Sequence, residues 1–65
     1  MLKFTRHARK QMVARGISAN EVDEAIRMGL KSLQDDGTML TVHKYYKVVY
    51  KKEGEDHIII TVMLR

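Results

Sequence analysis

Three histidines and several lysines are the side chains of this 65-residue sequence that could act on a phosphodiester. His43 and His57 could transfer protons, because imidazole changes its charge near neutral pH. Lys47 and Lys51 could hold a phosphate by their positive charge. Cleavage of RNA without a metal requires a base for the 2′-hydroxyl proton, an acid for the leaving 5′ oxygen, and cations for the charge on the phosphate. The residue types therefore allow RNA cleavage if the fold places them on one surface.

Three further residues could complete such a site. Tyr45 could stack on a base, and Arg65 could contact a second phosphate. His7 falls in the first turn of a predicted helix, where free amides attract an anion, so it could contact a phosphate or donate a proton. Each also has a simpler interpretation. His7 could pack against the sheet edge and fix the start of the helix, and the others could be ordinary solvated residues.

The first predicted helix also has a strongly basic surface. Its cations are Arg6, Arg9, Lys10 and Arg15, and no acidic residue occurs before Glu21. Such a surface could follow a nucleic-acid backbone or bind an acidic protein segment. A charge run of this kind is equally typical of a helix face that is simply solvated.

Composition excludes several other classes of function and indicates one small domain, residues 1–65. There is no cysteine, so disulfides are excluded, and three histidines alone make a poor structural zinc site. No glycine-rich phosphate loop, carboxylate pair or Ser-His-Asp set is present, and we expect no metal and no cofactor. The net charge of +4 allows a nucleic-acid partner without requiring one. With no signal peptide or apolar span in the sequence, we expect a cytoplasmic protein without a membrane partner.

Two helices are predicted from their capping residues. Thr5 is a suitable N-cap for a helix that runs to about Arg15, and Gly16 is suited to the left-handed position that follows a helix. Residues 18–21, Ser-Ala-Asn-Glu, form a capping box for a second helix that ends at Gly29. Residues 1–4 are expected to be a short lead-in.

From Leu30 onward the hydrophobic period changes from about 3.6 to 2, which predicts strands. The most apolar of these is a run of β-branched residues near the C-terminus, typical of a central strand. The strands are predicted over Leu30–Gln34, Thr38–Lys44, Tyr45–Lys52 and Ile58–Leu64.

The register of the last hairpin follows from which side chains must face the same way. A three-residue loop over residues 53–55, with Gly54 at positive φ, places the apolar faces of the last two strands opposite each other. It pairs Tyr50 with Ile58, Val48 with Ile60 and Tyr46 with Val62. A two-residue loop would pair apolar with polar faces, because a slip of one residue reverses every side chain.

The two helices can then cover the apolar face, giving an α+β fold with two N-terminal helices on one face of a four-stranded antiparallel sheet. With Leu40 and Val42 pointing inward, the other face stays open. The residues expected on this open face are Thr41, His43, Tyr45, Lys47, Val49, Lys51, His57, Ile59, Thr61, Met63 and Arg65.

Several segments of the sequence are similar to a known family. The opening reads Phe-Thr-Arg-His-Ala-Arg-Lys-Gln-Met-Val-Ala-Arg-Gly-Ile-Ser from residue 4 onward, and later matches are Tyr46-Lys47-Val48-Val49 and Thr61-Val62. Over nearly its whole length the chain resembles a small prokaryotic domain-of-unknown-function family, DUF4258. That family resembles the superfamily of barnase, EndoU, colicin and RelE-like domains, many of which are metal-independent RNases of toxin systems.

The resemblance implies the same two-layer fold, described as RelE-like, and RNA cleavage on the open sheet face. It also supports a role for His7, which lies in the His-Ala pair typical of the family. Two departures concern catalysis. Lys47 stands where family members often have arginine, and Met63-Leu64 stands where Tyr-Pro often follows Thr-Val. Lysine lacks the guanidinium fork, so activity could be weakened, altered or lost.

Two functions are therefore carried forward. The first is a RelE-like RNA-binding or RNA-cleaving domain of the toxin type, acting on free or ribosome-bound RNA, with an antitoxin as protein partner. Its catalytic candidates are His7, His43, Lys47 and His57. The alternative is a non-catalytic interaction module, such as a homodimer, that uses exposed Val49, Ile59 and Met63.

Overall fold

A computed structural model describes all 65 residues as two helices on one face of a five-stranded mixed sheet. The elements are β1 Leu2–Phe4, α1 Arg6–Arg15, α2 Ala19–Met28, β2 Leu30–Leu33, β3 Met39–His43, β4 Tyr46–Glu53 and β5 Asp56–Leu64. The sheet order is β1-β5-β4-β3-β2, with β1 parallel to β5 and every other pair antiparallel. Helix α1 packs on β5, and helix α2 packs on β3 and β4.

The α+β class is as predicted, but the prediction of a four-stranded antiparallel sheet is wrong. The expected lead-in is strand β1, whose residues Leu2, Lys3 and Phe4 pair in parallel with His57, Ile58 and Ile59. Three residues are too few to show a period of 2, and their partner is at the other end of the chain. The strand is therefore visible only once the long-range pairing is known.

Helix α1 has the predicted boundaries, and its first residues are tied to β5. Thr5 Oγ1 accepts a hydrogen bond from the amide of Ala8 at 3.0 Å and donates one to the carbonyl of Ile60, also at 3.0 Å. The amide of Thr5 donates to the carbonyl of Ile59. Gly16 ends the helix in the left-handed conformation with φ of 67°. These bonds fix where α1 starts relative to the edge of the sheet.

Helix α2 has the predicted capping box at its start. The amide of Ser18 donates to the carboxylate of Glu21 at 2.9 Å, and the amide of Glu21 donates to Ser18 Oγ at 3.1 Å. The buried face of the helix is Val22, Ala25 and Ile26, as its sequence period predicted. The two helices therefore form from local signals, and each presents its apolar side to the sheet.

The core lies between the helices and the inner face of β4 and β5. Tyr46 is fully buried, and its hydroxyl donates to the carbonyl of Glu21 at 2.7 Å. No buried side-chain nitrogen or oxygen atom lacks a hydrogen-bond partner. The buried apolar residues are Ala8, Ile17, Val22, Ala25, Ile26, Tyr46, Val48, Tyr50, Ile59 and Val62.

The predicted register of the β4–β5 hairpin is wrong, although Gly54 has the expected positive φ of 61°. Glu53 pairs with Asp56, so the turn has two residues rather than three. A bulge then restores the match of apolar faces: Tyr50 pairs with Ile59, whereas Val49 pairs with Thr61, which leaves Ile60 without a partner. Farther along, Val48 pairs with Val62 instead of Ile60.

The predicted sidedness of β3 is also reversed. Thr41 is fully buried under α2, and its hydroxyl donates to the carbonyl of Ala25 at 2.7 Å. Leu40 and Val42, which were expected inward, therefore lie on the open face. The cause is a two-residue turn at residues 44–45, because it pairs His43 with Tyr46 and so puts both on the helix side.

Candidate functional site

The face of the sheet that the helices leave open is mostly apolar, with lysines set into it. Cross-strand pairing places Lys47 between Val42 of β3 and Met63 of β5. In the next row on this face, Val49 lies between Leu40 and Thr61. The third row, toward the β4–β5 turn, is Lys51, Ile58 and Lys3. No aromatic side chain belongs to these rows, so this face offers no platform on which bases could stack.

Lys47 is the one lysine of this face without a carboxylate partner. Lys51 Nζ lies 2.9 Å from a carboxylate oxygen of Glu53, which raises the pKa of Lys51. Lys3 Nζ lies 3.2 Å from a carboxylate oxygen of Asp56. Because an ion pair already balances part of their charge, the other two lysines attract an anion less than Lys47 does.

His7 reaches the open side of the sheet around the edge of β5. Its Nε2 lies 3.0 Å from Thr61 Oγ1, and Thr61 is the cross-strand partner of Val49. The contact arises because β1 ends at Phe4 while β5 continues beyond it, and α1 begins at this uncovered edge. We call His7, Thr61 and Lys47 the His7–Lys47 surface.

His43 does not lie on the open face, contrary to the prediction. Its Nε2 is 2.7 Å from a carboxylate oxygen of Glu24 on α2, and its side chain is 16% exposed. Lys44 Nζ is 2.9 Å from the same oxygen. Hydrogen bonds from Lys44, and next from His43, lower the pKa of the Glu24 carboxyl group. His43 therefore joins a strand to a helix.

His57 also lies on the helix side, so the predicted pairing of two histidines is wrong. It is the partner of Lys52 across the hairpin, and its ring centroid is 5.5 Å from that of Tyr50. His43 pairs with Tyr46 at the other end of β4. Because Tyr46 and Lys52 are six positions apart on β4, the two histidines lie about 20 Å apart along the strand. Two imidazoles therefore cannot act together on one phosphate.

Tyr45 and Arg65 meet at the β3–β4 turn rather than on the open face. The hydroxyl of Tyr45 donates to the carboxylate of Glu21 at 2.8 Å, which raises the pKa of Tyr45. The Tyr45 ring also packs edge-on against Tyr46, with centroids 5.0 Å apart. Arg65 Nη1 donates to the carbonyl of Lys44 at 3.1 Å. The predicted base-stacking role of Tyr45 would require it to leave these contacts.

The basic surface of α1 is exposed as predicted, and none of its four cations is in an ion pair. They are Arg6, Arg9, Lys10 and Arg15. Because Ala8 faces the sheet, the helical repeat puts His7 on one side of α1 and Arg9 on the other. The helix therefore has two distinct flanks, and its cations do not all border the open sheet face.

Neither a cluster of metal ligands nor a membrane-spanning helix is present. No group of three or more His, Cys, Asp or Glu residues lies close enough to hold a metal ion. Neither helix has the length and hydropathy that crossing a membrane would require.

Sequence reasoning did not find Glu21 and Glu24 as partners of Tyr45 and His43, nor Thr61 as the partner of His7. The sequence did contain a signal for the side on which His43 lies. Tyr46 belongs to the predicted apolar face, and a two-residue turn at residues 44–45 pairs it with His43, so both side chains lie on the helix side. The His7 contact had no such signal, because 54 residues separate it from Thr61.

This architecture, two helices on a mixed sheet closed by a β-hairpin, is that of a chain in a known toxin–antitoxin complex. The crystal structure of the complex RelBE2 from Mycobacterium tuberculosis contains a chain with a TM-score of 0.66 to this one and 19% sequence identity. The alignment covers 100% of this chain and 96% of that one. At this identity the likeness establishes the fold.

The chain belongs to the family described as "Domain of unknown function (DUF4258)". The profile of that family matches residues 4–64, nearly the whole sequence. No curated protein sequence matches this chain. The family resemblance noted over nearly the whole chain is therefore confirmed, and it includes both helices and all of β2 to β5.

Proposed function

We propose that this domain binds RNA through the His7–Lys47 surface and belongs to the toxin type of RelE-like domains. One observation carries the proposal: His7 contacts Thr61 at the edge of β5, and so brings an imidazole to the side of the sheet where Lys47 has no carboxylate partner. An imidazole and an uncompensated ammonium group near one another suit a phosphodiester.

Position and charge add other residues to the proposed surface. Arg6 precedes His7 at the start of α1, where the first amides of the helix also favour an anion. Arg65 is not part of this surface, because its side chain is bonded to the carbonyl of Lys44 at the β3–β4 turn. An RNA strand that crosses the end of the sheet where Lys47 pairs with Met63 would meet Arg6, His7 and Lys47 in one path, with Lys51 farther along β4.

Cleavage by this surface would depend on His7 and Lys47, since His43 and His57 face the helices. Lysine and histidine can both transfer protons, so the two groups could act as the acid and base of a transesterification. We assign no proton transfer to His43 or His57. The fold likeness to a chain of a toxin–antitoxin complex supports a role of the toxin type, with an antitoxin as a protein partner.

The proposal is tested by measuring RNA binding and cleavage for the wild type, Lys47→Ala and His7→Ala. The matched control is Lys52→Ala, which removes an exposed lysine from the helix side of β4. We expect Lys47→Ala to weaken binding of a short single-stranded RNA and to reduce the salt slope by about one phosphate contact. Equal affinity and salt slope for Lys47→Ala and Lys52→Ala would contradict the proposal.

A second candidate is a protein-interaction module, favoured by the apolar character of the open face. Leu40, Val42, Val49, Ile58 and Met63 are all partly exposed there, with no helix over them. Of the residues first expected in such an interface, Ile59 is excluded because it is fully buried. Sedimentation across a range of concentrations tests the homodimer. Dimerisation that Val49→Glu abolishes would favour it, and a monomer throughout would exclude it.

A further inference from the structure

A groove on the other flank of α1 is not used by the proposed function. It lies where α1, the connection to α2 and strand β1 meet, and its volume is about 720 Å³. Its walls are Phe4, Met12, Val13 and Ile17, with Gly16, Ser18 and Ala19 at the connection and Arg9 at one side. Val13 is 85% exposed, although it is apolar. The groove is therefore an apolar surface without a partner in this chain.

The charged side chains that line the groove and the depression beside it are positive. Arg9 lines it, Lys10 borders the adjoining depression beside Val13, and neither is in an ion pair. The start of α2 also lies here, because Ser18 and Ala19 line the groove. Its capping box is closed, since the carboxylate of Glu21 accepts from the amide of Ser18 and Ser18 Oγ accepts from the amide of Glu21, so the attraction for an anion comes from Arg9 and Lys10. The carboxylates of the chain begin only with Glu21.

We propose that this groove binds an acidic amphipathic segment of another protein. Apolar side chains of such a segment would fill the space among Phe4, Met12 and Ile17, and would cover Val13. Its carboxylates would meet Arg9 and Lys10. An amphipathic helix in a hydrophobic groove is an established mode of peptide recognition, with anchors at i, i+3, i+4 and i+7.

Two other occupants fit the groove less well. A nucleic-acid backbone would meet the cations, but it has no apolar group to cover Val13 and Met12. A second copy of this chain offers exposed Leu30 and Leu33 beside two aspartates, Asp35 and Asp36. Docking of that segment in the groove of another copy would be a head-to-tail contact, which leads to open chains or rings. Leu30 and Leu33 also lie on opposite faces of β2, so that segment has no single apolar side, and a separate acidic amphipathic segment fits the groove better.

The probe for the experiment is a fluorescent peptide of about 16 residues, roughly four helical turns. Leucines at i, i+3, i+4 and i+7 spacing form one face, and glutamates fill the other. One control peptide has the same composition in scrambled order, and another has lysine in place of glutamate. Anisotropy titrations compare the wild-type protein with Arg9→Glu, Val13→Asp and the charge-matched control Lys52→Glu. Both groove positions are exposed, and circular dichroism checks that each variant is folded.

The expected result is that the acidic amphipathic peptide binds the wild type at least about tenfold more tightly than either control peptide. Arg9→Glu and Val13→Asp each weaken binding by about tenfold or more, whereas Lys52→Glu changes it by less than about twofold. Equal binding of the scrambled peptide, or equal losses for Arg9→Glu and Lys52→Glu, would overturn the proposal.

Two further measurements separate the other occupants and the RNA proposal. If Val13→Asp weakens RNA binding as much as Lys47→Ala does, the groove is part of a nucleic-acid surface and the proposal is wrong. If the wild-type protein forms concentration-dependent chains that Val13→Asp abolishes, the occupant is a second copy and the proposal is again wrong. Loss of RNA binding in Lys47→Ala with unchanged peptide binding supports two independent surfaces.

Discussion

The Nε2 atom of His7 lies 3.0 Å from the hydroxyl oxygen of Thr61, a residue 54 positions later in the chain. The contact exists because β1 pairs with only the first part of β5, and α1 starts where that pairing stops. It brings one imidazole to the open side of the sheet, while the two other histidines face the helices. The candidate site is therefore built around a helix start and a strand edge.

Gly29 is predicted to be intolerant of any side chain, although its backbone conformation suits every residue. A Cβ atom there would lie 2.2 Å from Thr41 Oγ1 and 2.6 Å from the carbonyl oxygen of Ala25. We expect Gly29→Ala to lower the free energy of unfolding by about 1–3 kcal/mol, the usual cost of overpacking. Urea denaturation measures it, with Ser32→Ala on exposed β2 as the control. A loss no larger than that of Ser32→Ala would contradict the packing at Gly29.

Glu24 is predicted to make stability depend on pH in the acid range. Its pKa is lowered from 4.5, mainly by the hydrogen bond from Lys44 and next by that from His43. A lowered pKa in the folded state gives stability that is present above 4.5 and is lost as the pH falls through the folded value. We expect Glu24→Gln to be less stable than the wild type at neutral pH and equal to it well below pH 4.5.

The control for Glu24 is Glu55→Gln, which changes an exposed carboxylate that is in no ion pair. Thermal melts of the three proteins across the acid range give the comparison. A constant difference between Glu24→Gln and the wild type at every pH would mean that the Glu24 carboxylate does not stabilise the fold by its charge.

Tyr46 is predicted to ionise last among the three tyrosines. Burial, followed by the negative charge of Glu24, raises the pKa of Tyr46 from 10.0 to about 12. A raised pKa in the folded state gives stability that is complete below pH 10.0 and is lost as the pH rises toward about 12. We therefore expect alkaline unfolding in this interval, and a late step in phenolate absorbance that is missing from Tyr46→Phe.

The Tyr46→Phe variant also loses the hydrogen bond to the carbonyl of Glu21. We expect this loss to cost about 1 kcal/mol at neutral pH, the typical net value of such a bond. Tyr45→Phe is the control, because its hydroxyl is bonded at the surface. If all three tyrosines ionise together before the protein unfolds, then Tyr46 is not shielded as described.

The helices were predictable because their signals are local. Thr5 and Gly16 mark the ends of α1, and Ser18 and Glu21 cap α2, all within a few residues of the helix that they define. Strand β1 has no comparable signal. Its identity depends on parallel pairing with residues near the other end of the chain.

The sidedness of the hairpins could not be read from the sequence for two physical reasons. Residues 58–60 are three consecutive isoleucines, so no alternation shows that the bulge leaves Ile60 unpaired. Lys44 adopts positive φ of 52° in the β3–β4 turn, a role usually taken by glycine or asparagine. Each feature shifts the pairing, and together they move His43 and His57 to the helix side.

The most direct test of the RNA-binding proposal is a titration of the isotope-labelled protein with a short single-stranded RNA, followed by amide chemical shifts. We predict that the largest changes occur at His7, Lys47 and Thr61 and that they diminish with added salt. Changes confined to the groove around Val13, or to the helix-side contact of His43 with Glu24, would contradict the proposed site. No change at any RNA concentration would contradict RNA binding itself.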